Sequence, residues 1–167
     1  VLALDNVSLK AEAGKVHALM GENGAGKSTL IKILAGAYTK DEGKILFNGE
    51  EKNITSPHDS LSLGIKVVYQ EISLIPEFTV GENIFLEKFP INKFGIINWK
   101  NLYEECDALL KNIGFELDVR EKVVNLSISE QQIVEIARAI FQNASVVVMD
   151  EPTSSLTPKE IEKLFEV

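Results

Sequence analysis

The sequence predicts an α/β fold: a mostly parallel sheet with an antiparallel β portion, interrupted by a helical insert. Three observations carry that expectation. Apolar runs bounded by turn residues recur at 2–9, 15–20, 44–47 and 65–69, the pattern of short strands. Over about 71–144 the spacing changes to three- and four-residue helical steps. The run Ser145-Val146-Val147-Val148-Met149 is then apolar on both faces, as a central strand of a parallel sheet should be. The expected organisation is a single domain, with 1–70 and 145–167 as the α/β core and about 71–144 as a helical subdomain.

Each element has its own local reason. The two strands at 2–9 and 15–20 are separated by Ala13-Gly14, and the second is apolar enough to be buried. Residues 28–35 have helical character and stop at Gly36, a residue free to take the left-handed backbone of a helix end. Asp41-Glu42-Gly43 is a turn, and Asn48-Gly49 closes the strand at 44–47 with the strongest short hairpin signal. Ser56-Pro57 starts a brief helix that runs to Gly64, and the strand at 65–69 delivers Gln70. Thr79 caps a helix carrying Val80, Ile84 and Phe85. Trp99, Leu102, Tyr103, Cys106, Leu109, Leu110 and Ile113 line one face of a helix capped by Asn98 and ended by Gly114. A further helix follows residues 125–132, with Ser129 and Gln132 at capping-box spacing. Thr157-Pro158-Lys159-Glu160 opens a last helix with a capping box and Pro at its first position.

Composition narrows the function classes. At 167 residues, 45% hydrophobic and 25% charged, the chain has the make-up of a globular domain. No apolar run approaches the roughly 20 residues of a membrane-spanning helix, and no signal peptide opens it. A formal net charge of -8 argues against nucleic acid as a partner. One cysteine, Cys106, excludes an internal disulfide; on an apolar helix face it is expected to be buried packing. His17 and His58 have no metal-ligand spacing; His17 is expected as a hydrogen-bonded sheet or core histidine and His58 as exposed. Val1 opens inside a strand and Val167 stops inside a helix, so the sequence reads as a piece of a longer chain.

The chemistry is concentrated in Gly21-Glu22-Asn23-Gly24-Ala25-Gly26-Lys27-Ser28. This is G-x-x-x-x-G-K-S, the Walker A phosphate-binding loop, in the strand–loop–helix context it requires. The loop N–H groups and the positive end of the following helix converge on one anion. Gly21, Gly24 and Gly26 permit that close backbone approach. Lys27 would reach the β- and γ-phosphates, and Ser28, followed by Thr29, would offer its hydroxyl to Mg²⁺. A nucleoside triphosphate is therefore the expected ligand.

The apolar strand at 145–149 ends in Asp150-Glu151, at the carboxyl end where α/β sheets bind ligands. Asp150 would hold the Mg²⁺ shell, and Glu151 is placed to polarise a water for attack on the γ-phosphate. Gln70, ending another strand, would order a water or touch Mg²⁺.

With these pieces in order, the sequence resembles the nucleotide-binding domain of an ATP-binding cassette (ABC) ATPase, a P-loop NTPase fold. Walker A, Gln70, Leu126-Ser127-Ile128-Ser129-Glu130, Asp150-Glu151 and Ser154-Ser155-Leu156-Thr157 stand where that family carries its P-loop, Q-loop, signature, Walker B and D-loop. Residues 69–80, 95–99 and 132–139 are similar to the branch of ribose- and galactose-type sugar-importer ATPases, whose chains carry two cassettes. The resemblance implies that this stretch is most of the first cassette. It also implies an ATP sandwiched between two cassettes, with Ser127 and Ser129 facing the ATP of the partner. A sugar permease at the cytoplasmic face of the membrane, and an external sugar-binding protein, would complete the machine. The signature departs from the usual L-S-G-G-Q at Ile128, Ser129 and Glu130, and Thr157 replaces the usual Asp. Three readings follow: an ATPase powering sugar import, a soluble cassette ATPase not coupled to transport, and a cassette that binds ATP but hardly hydrolyses it.

Overall fold

A computed structural model describes residues 2–69, 71–152 and 156–167. Gln70, Ser154 and Ser155, which the sequence reading placed in the Q-loop and D-loop, lie outside the described residues. The chain divides into two compact units, Val1–Val67 with Ser145–Val148, and Val68–Ala144 with Met149–Val167. Residues 149–167, assigned by the sequence reading to the α/β core, therefore group with the helical unit.

The first unit holds helix α1 (Lys27–Leu34), strands β1 (Ile45–Phe47) and β2 (Glu50–Lys52), and helix α2 (Pro57–Ser62). β1 and β2 pair antiparallel, with Phe47 opposite Glu50. The two-residue turn between them has Asn48 at φ 53° and Gly49 at φ 83°, the left-handed pair a tight hairpin needs and the reason Asn-Gly occurs there. α2 is opened by a capping box in which Ser56 accepts from the Asp59 N–H and Asp59 accepts from the Ser56 N–H. α1 ends at Gly36, φ 71°, where an added Cβ would sit 2.1 Å from the Ser56 carbonyl oxygen. Only a residue without a side chain lets α1 close against the start of α2 there. Buried Ser60 fastens the same junction by donating to the Leu34 carbonyl at 2.7 Å.

Strand β3 (Ile65–Val68) pairs with β4 (Val146–Met149). The Gly64 carbonyl accepts from Val146 N–H at 3.1 Å and the Val68 carbonyl from Asp150 N–H at 3.0 Å. Both chains advance in the same direction between these bonds, so the pair is parallel. The side chains of β4 are half-buried along its whole length.

Two expectations fail in the first unit. Residues 2–9 and 15–20 form no strand, and Leu2, Val16 and Met20 are 76%, 73% and 88% exposed. A strand exists only as half of a ladder, and among the described residues no segment offers these two a partner backbone. His17 is accordingly exposed, and not a sheet or core residue; its Nε2 accepts from the Glu12 N–H at 2.9 Å. His58 is exposed as expected.

The second unit is helical. It contains α3 (Val80–Ile84), α4 (Trp99–Asn112), a single 3₁₀ turn (Val123–Asn125), α5 (Ile128–Phe141) and α6 (Pro158–Glu166). The caps expected at Thr79, Asn98 and Thr157 are all made. Its core gathers Val80, Ile84, Phe85, Leu102, Cys106 and Val134, each 1% exposed or less. α3 and α4 approach so closely at Gly81 that an added Cβ would lie 2.7 Å from Leu102 Cδ2. Phe85 and Phe141 lock α3 to α5 with ring centroids 4.0 Å apart. Cys106 is fully buried, and burial, helped by the neighbouring charge of Asp107, pushes its thiol up to about 12. Only roughly one part in ten thousand is then thiolate near pH 8, and the thiolate is the nucleophile. In the intact native protein, Cys106 should resist a soluble maleimide, as read by peptide mass spectrometry, and label fully in denaturant. Rapid native labelling would contradict this packing.

Candidate functional site: an open helix N-terminus and a braced signature loop

Among the described residues, five of the six α-helices are closed at their N-terminus by a side chain: Ser56, Thr79, Asn98, Ser127 and Thr157 each accept from the first turn. α1 is different. Its N-cap is Gly26, with no side-chain cap and no acid in the first turn, so its leading N–H groups face outward without a built-in acceptor. That is the arrangement by which a helix end receives an anion.

The loop before it is shaped for the same purpose. Gly24 and Gly26 lie at φ 85° and 89°, the left-handed backbone from which anion-binding nests are built. A Cβ on Gly26 would meet the Ala3 carbonyl oxygen and Leu4 Cδ2 at 2.7 Å, whereas Gly24 faces open space. Ala25 N–H donates to the Glu22 carbonyl at 3.1 Å, closing the turn around Asn23. Lys27 Nζ folds over the loop and donates to the carbonyls of Gly21 at 2.5 Å and Glu22 at 2.9 Å. The ammonium thus stands at the loop, held by two backbone carbonyls and by no carboxylate. Ser28 is exposed on the first turn, with Thr29 half-buried behind it.

Asp150 and Glu151 follow β4 directly. The Asp150 N–H is tied into the ladder through Val68, so its position is set by the strand pair. Glu151 is exposed and takes φ 49°, a left-handed backbone that is uncommon for a residue with a Cβ and costs on the order of 1 kcal/mol. Lys27 and Ser28 belong to the first unit, Asp150 and Glu151 to the second.

The signature stretch is held differently from the sequence reading. The capping box at the start of α5 is Ser127 with Glu130, not Ser129 with Gln132. Glu130 accepts from the Ser127 N–H at 2.8 Å and from its hydroxyl at 2.7 Å, while Ser127 Oγ accepts from the Glu130 N–H at 3.3 Å. The frame is set by the backbone, because Ser127 is extended and Ile128 is already helical. Gln132 is instead buried, 4% exposed. Ser129 Oγ lies 3.2 Å from Ser127 Oγ, so the two hydroxyls act as a pair, and Ile128 beside them is exposed.

What leads into Ser127 is braced by the segment that follows Gln70. Val123 N–H donates to the Phe78 carbonyl, Val124 N–H to Pro76 and Val80 N–H to Glu121, each at about 3 Å. Fully buried Asn83 fixes the same loop, accepting from the Ile75 N–H at 2.8 Å and donating to the Ile75 and Thr79 carbonyls. A second brace joins residue 73 to α5. Glu135, 6% exposed, accepts from the Ser73 N–H and hydroxyl at 2.8 and 3.0 Å. Arg138 completes it, donating to Glu135 at 2.6 Å and to Ser73 Oγ at 2.7 Å. The sequence reading missed Asn83 and Glu135. An acid flanked by Ile133, Val134, Ile136 and Ala137 on a buried helix face was the available signal for the second, since such a charge persists only when paired.

A loop with two positive-φ glycines leading into an uncapped helix, with a lysine folded over it, is the arrangement of the P-loop class. A family model described as "ABC transporter" matches residues 4–154. The chain belongs to the ABC transporter family. Over its whole length it is 51% identical to a putative ribose/galactose/methyl galactoside import ATP-binding protein of Halalkalibacterium halodurans. It is 48% identical to a ribose import ATP-binding protein of Caldanaerobacter subterraneus and to an arabinose import ATP-binding protein of Yersinia pestis. The chain spans about a third of the length of these relatives, 32%, 34% and 32% respectively. Among solved structures it is similar to the ADP conformation of an ATP-binding cassette of an ABC transporter. That match has a TM-score of 0.79 and 29% identity, covering 98% of this chain and 68% of the other. A dimeric ATP-binding cassette solved after hydrolysis with ADP and Pi matches at TM-score 0.77 and 28% identity, covering 98% and 72%. The α/β P-loop class expected from the sequence is therefore correct.

Removing Glu135 takes the acceptor from Ser73 and leaves Arg138, whose side chain is 18% exposed and so still reached by water, without its carboxylate, at a cost of about 2 kcal/mol. Glu135→Ala in the intact protein should lower the stability of the helical unit by that amount in a urea titration. A change within about 0.5 kcal/mol would show that the Ser73–Glu135–Arg138 network does not brace the loop.

Proposed function

We propose that this chain is the ATP-binding and ATP-hydrolysing part of a sugar importer, working at the cytoplasmic face of a membrane beside a sugar permease. The observation that carries the nucleotide half of the reading is the uncapped N-terminus of α1 beneath a loop with Gly24 and Gly26 at positive φ. Sugar import rests on the relatives, which are named for import of ribose, galactose or arabinose.

In this reading the N–H groups of residues 21–28 cradle the phosphates, and Lys27 exchanges its two carbonyl partners for the β- and γ-phosphate oxygens. Glu151 accepts a proton from water as the water oxygen attacks the γ-phosphorus. The bond to the bridging oxygen breaks, leaving ADP and phosphate. Lys27 stabilises charge on the transferring group throughout. The hydroxyl of Ser28, the Gln70 amide and the Asp150 carboxylate are the residues we assign to Mg²⁺. They are all hard oxygen donors, and among the described residues no three His, Cys, Asp or Glu side chains cluster as a metal site. That set suits a cation that takes much of its shell from phosphate and water. When bound, Mg²⁺ would neutralise charge on the β- and γ-phosphates.

Ser127 and Ser129 are assigned to the ATP of a second cassette, contributed by another part of the same protein. Here the capping box favours slow turnover at that shared site. The Glu130 carboxylate already occupies the Ser127 N–H and hydroxyl, and it adds a negative charge at the start of α5 that an incoming phosphate would have to displace. No described helix is long and apolar enough to cross a membrane.

The deciding experiment is ATP turnover of the intact protein, reconstituted with its permease and sugar-binding protein, over a panel of pentoses and hexoses. One sugar should stimulate turnover, and Glu151→Gln should lower the stimulated rate at least about 100-fold while ATP stays bound. Turnover indifferent to every sugar would contradict import, and turnover indifferent to Glu151→Gln would remove it as the base.

A further inference from the structure

One feature of the helical unit is used by none of these roles. Between α3 and α4 the chain makes a small closed hairpin at residues 90–98, with Ile91 paired antiparallel to Ile97. Asn98 N–H donates to the Pro90 carbonyl and Asn92 N–H to the Ile96 carbonyl, both at 2.8 Å, and Gly95 N–H donates to the Asn92 carbonyl at 3.0 Å. The Asn92 side chain accepts from the Phe94 and Ile96 N–H groups at 2.9 and 3.1 Å. The tip is therefore ordered by its own hydrogen bonds, with its backbone donors largely satisfied. Yet it presents Ile91, Phe94 and Ile96 at 65%, 76% and 62% exposure.

We propose that this tip is a lipid contact, entering the headgroup region of an anionic membrane surface. The inference rests on the reading above that the protein works at a membrane face. Three observations select lipid. Residues 88–99 carry Lys88 and Lys93 and no acid, in a chain whose formal net charge is -8, a local sign that complements anionic headgroups. Lys93 Nζ lies 5.4 Å from the Phe94 ring centre, pairing a cation with an apolar side chain in the manner of interfacial anchors. The base is an aromatic stack: Phe89 meets Trp99 edge-on at 6.4 Å, and Trp99 stacks on Tyr103 at 6.2 Å with its indole partly exposed. Trp and Tyr favour the polar–apolar boundary of a bilayer. The three tip side chains expose roughly 400 Å², about half of what one partner of a stable protein pair buries. Satisfied backbone donors are also what a tip needs when it leaves water.

The test is co-sedimentation of the intact protein, without permease or nucleotide, with vesicles of phosphatidylcholine containing about one-third phosphatidylglycerol. The wild type should partition onto these vesicles, more weakly at high salt and more weakly still onto phosphatidylcholine alone. The combined variant Ile91→Ser, Phe94→Ser, Ile96→Ser should partition about tenfold less. Lys93→Gln alone should reduce only the salt-sensitive part. The variants should keep wild-type basal ATP turnover in detergent, since the tip touches none of the nucleotide residues. Absent wild-type partition, or partition indifferent to the combined variant, would overturn the proposal. So would variants that keep vesicle binding and lose assembly with the permease, an outcome that would give the tip to a protein partner. Turnover indifferent to sugar would instead sink the import reading, and the vesicle measurement separates the two because it involves neither sugar nor permease.

Discussion

The helix end that has been left open is the constraint on which the rest depends. An α-helix carries four N–H groups without internal partners at its start, and a Ser, Thr or Asn side chain accepts from them at every described α-helix except α1. A phosphate can occupy that end only if no side chain does, and only if the backbone just before it can bend inward. Gly26 meets both needs at once, since its missing side chain removes a cap and permits φ 89°. Glycine is also required by the neighbours: the Ala3 carbonyl comes too near for any Cβ. The positive dipole end and the Lys27 ammonium then add charge of the same sign at the same place.

The helical unit follows a different logic. There the polar groups are satisfied internally, and the effect is rigidity. Asn83, fully buried, and Glu135, nearly so, spend their hydrogen-bonding capacity on the backbone of residues 73–79. The backbone bonds from residues 76–81 to 119–124 carry that order to the threshold of Ser127. The stretch after Gln70 and the start of α5 are thereby parts of one braced body, so a displacement at one end is felt at the other. This is the mechanical property a subdomain needs if nucleotide state is to be communicated to a partner.

Local chemistry was legible in the sequence, and long-range pairing was not. Caps at Ser56, Thr79, Asn98 and Thr157 and the Asn48-Gly49 turn were readable because each is decided within four residues. The strands at 2–9 and 15–20 were misread because apolar character says that a segment wants a ladder and a cover, not that either is supplied. His17 was misplaced with them. At α5 the Ser129–Gln132 frame was the wrong one, because Gln132 is drawn into the core and the capping falls to Ser127 and Glu130. Asn83 and Glu135 were missed because their partners lie 8 and 62 residues away. For the proposed phosphate loop the motif spacing was readable because Gly21 to Ser28 lie within eight consecutive residues.

The most direct test of the account is calorimetric titration of the intact protein and its Lys27→Ala variant with ATP, ADP and AMP. An open helix end closed by an ammonium predicts that ATP and ADP bind while AMP, lacking the β-phosphate, does not. It also predicts that Lys27→Ala weakens ATP at least about tenfold, the loss of one charge-assisted contact. AMP binding as tightly as ATP, or a Lys27→Ala variant with unchanged ATP affinity, would contradict it.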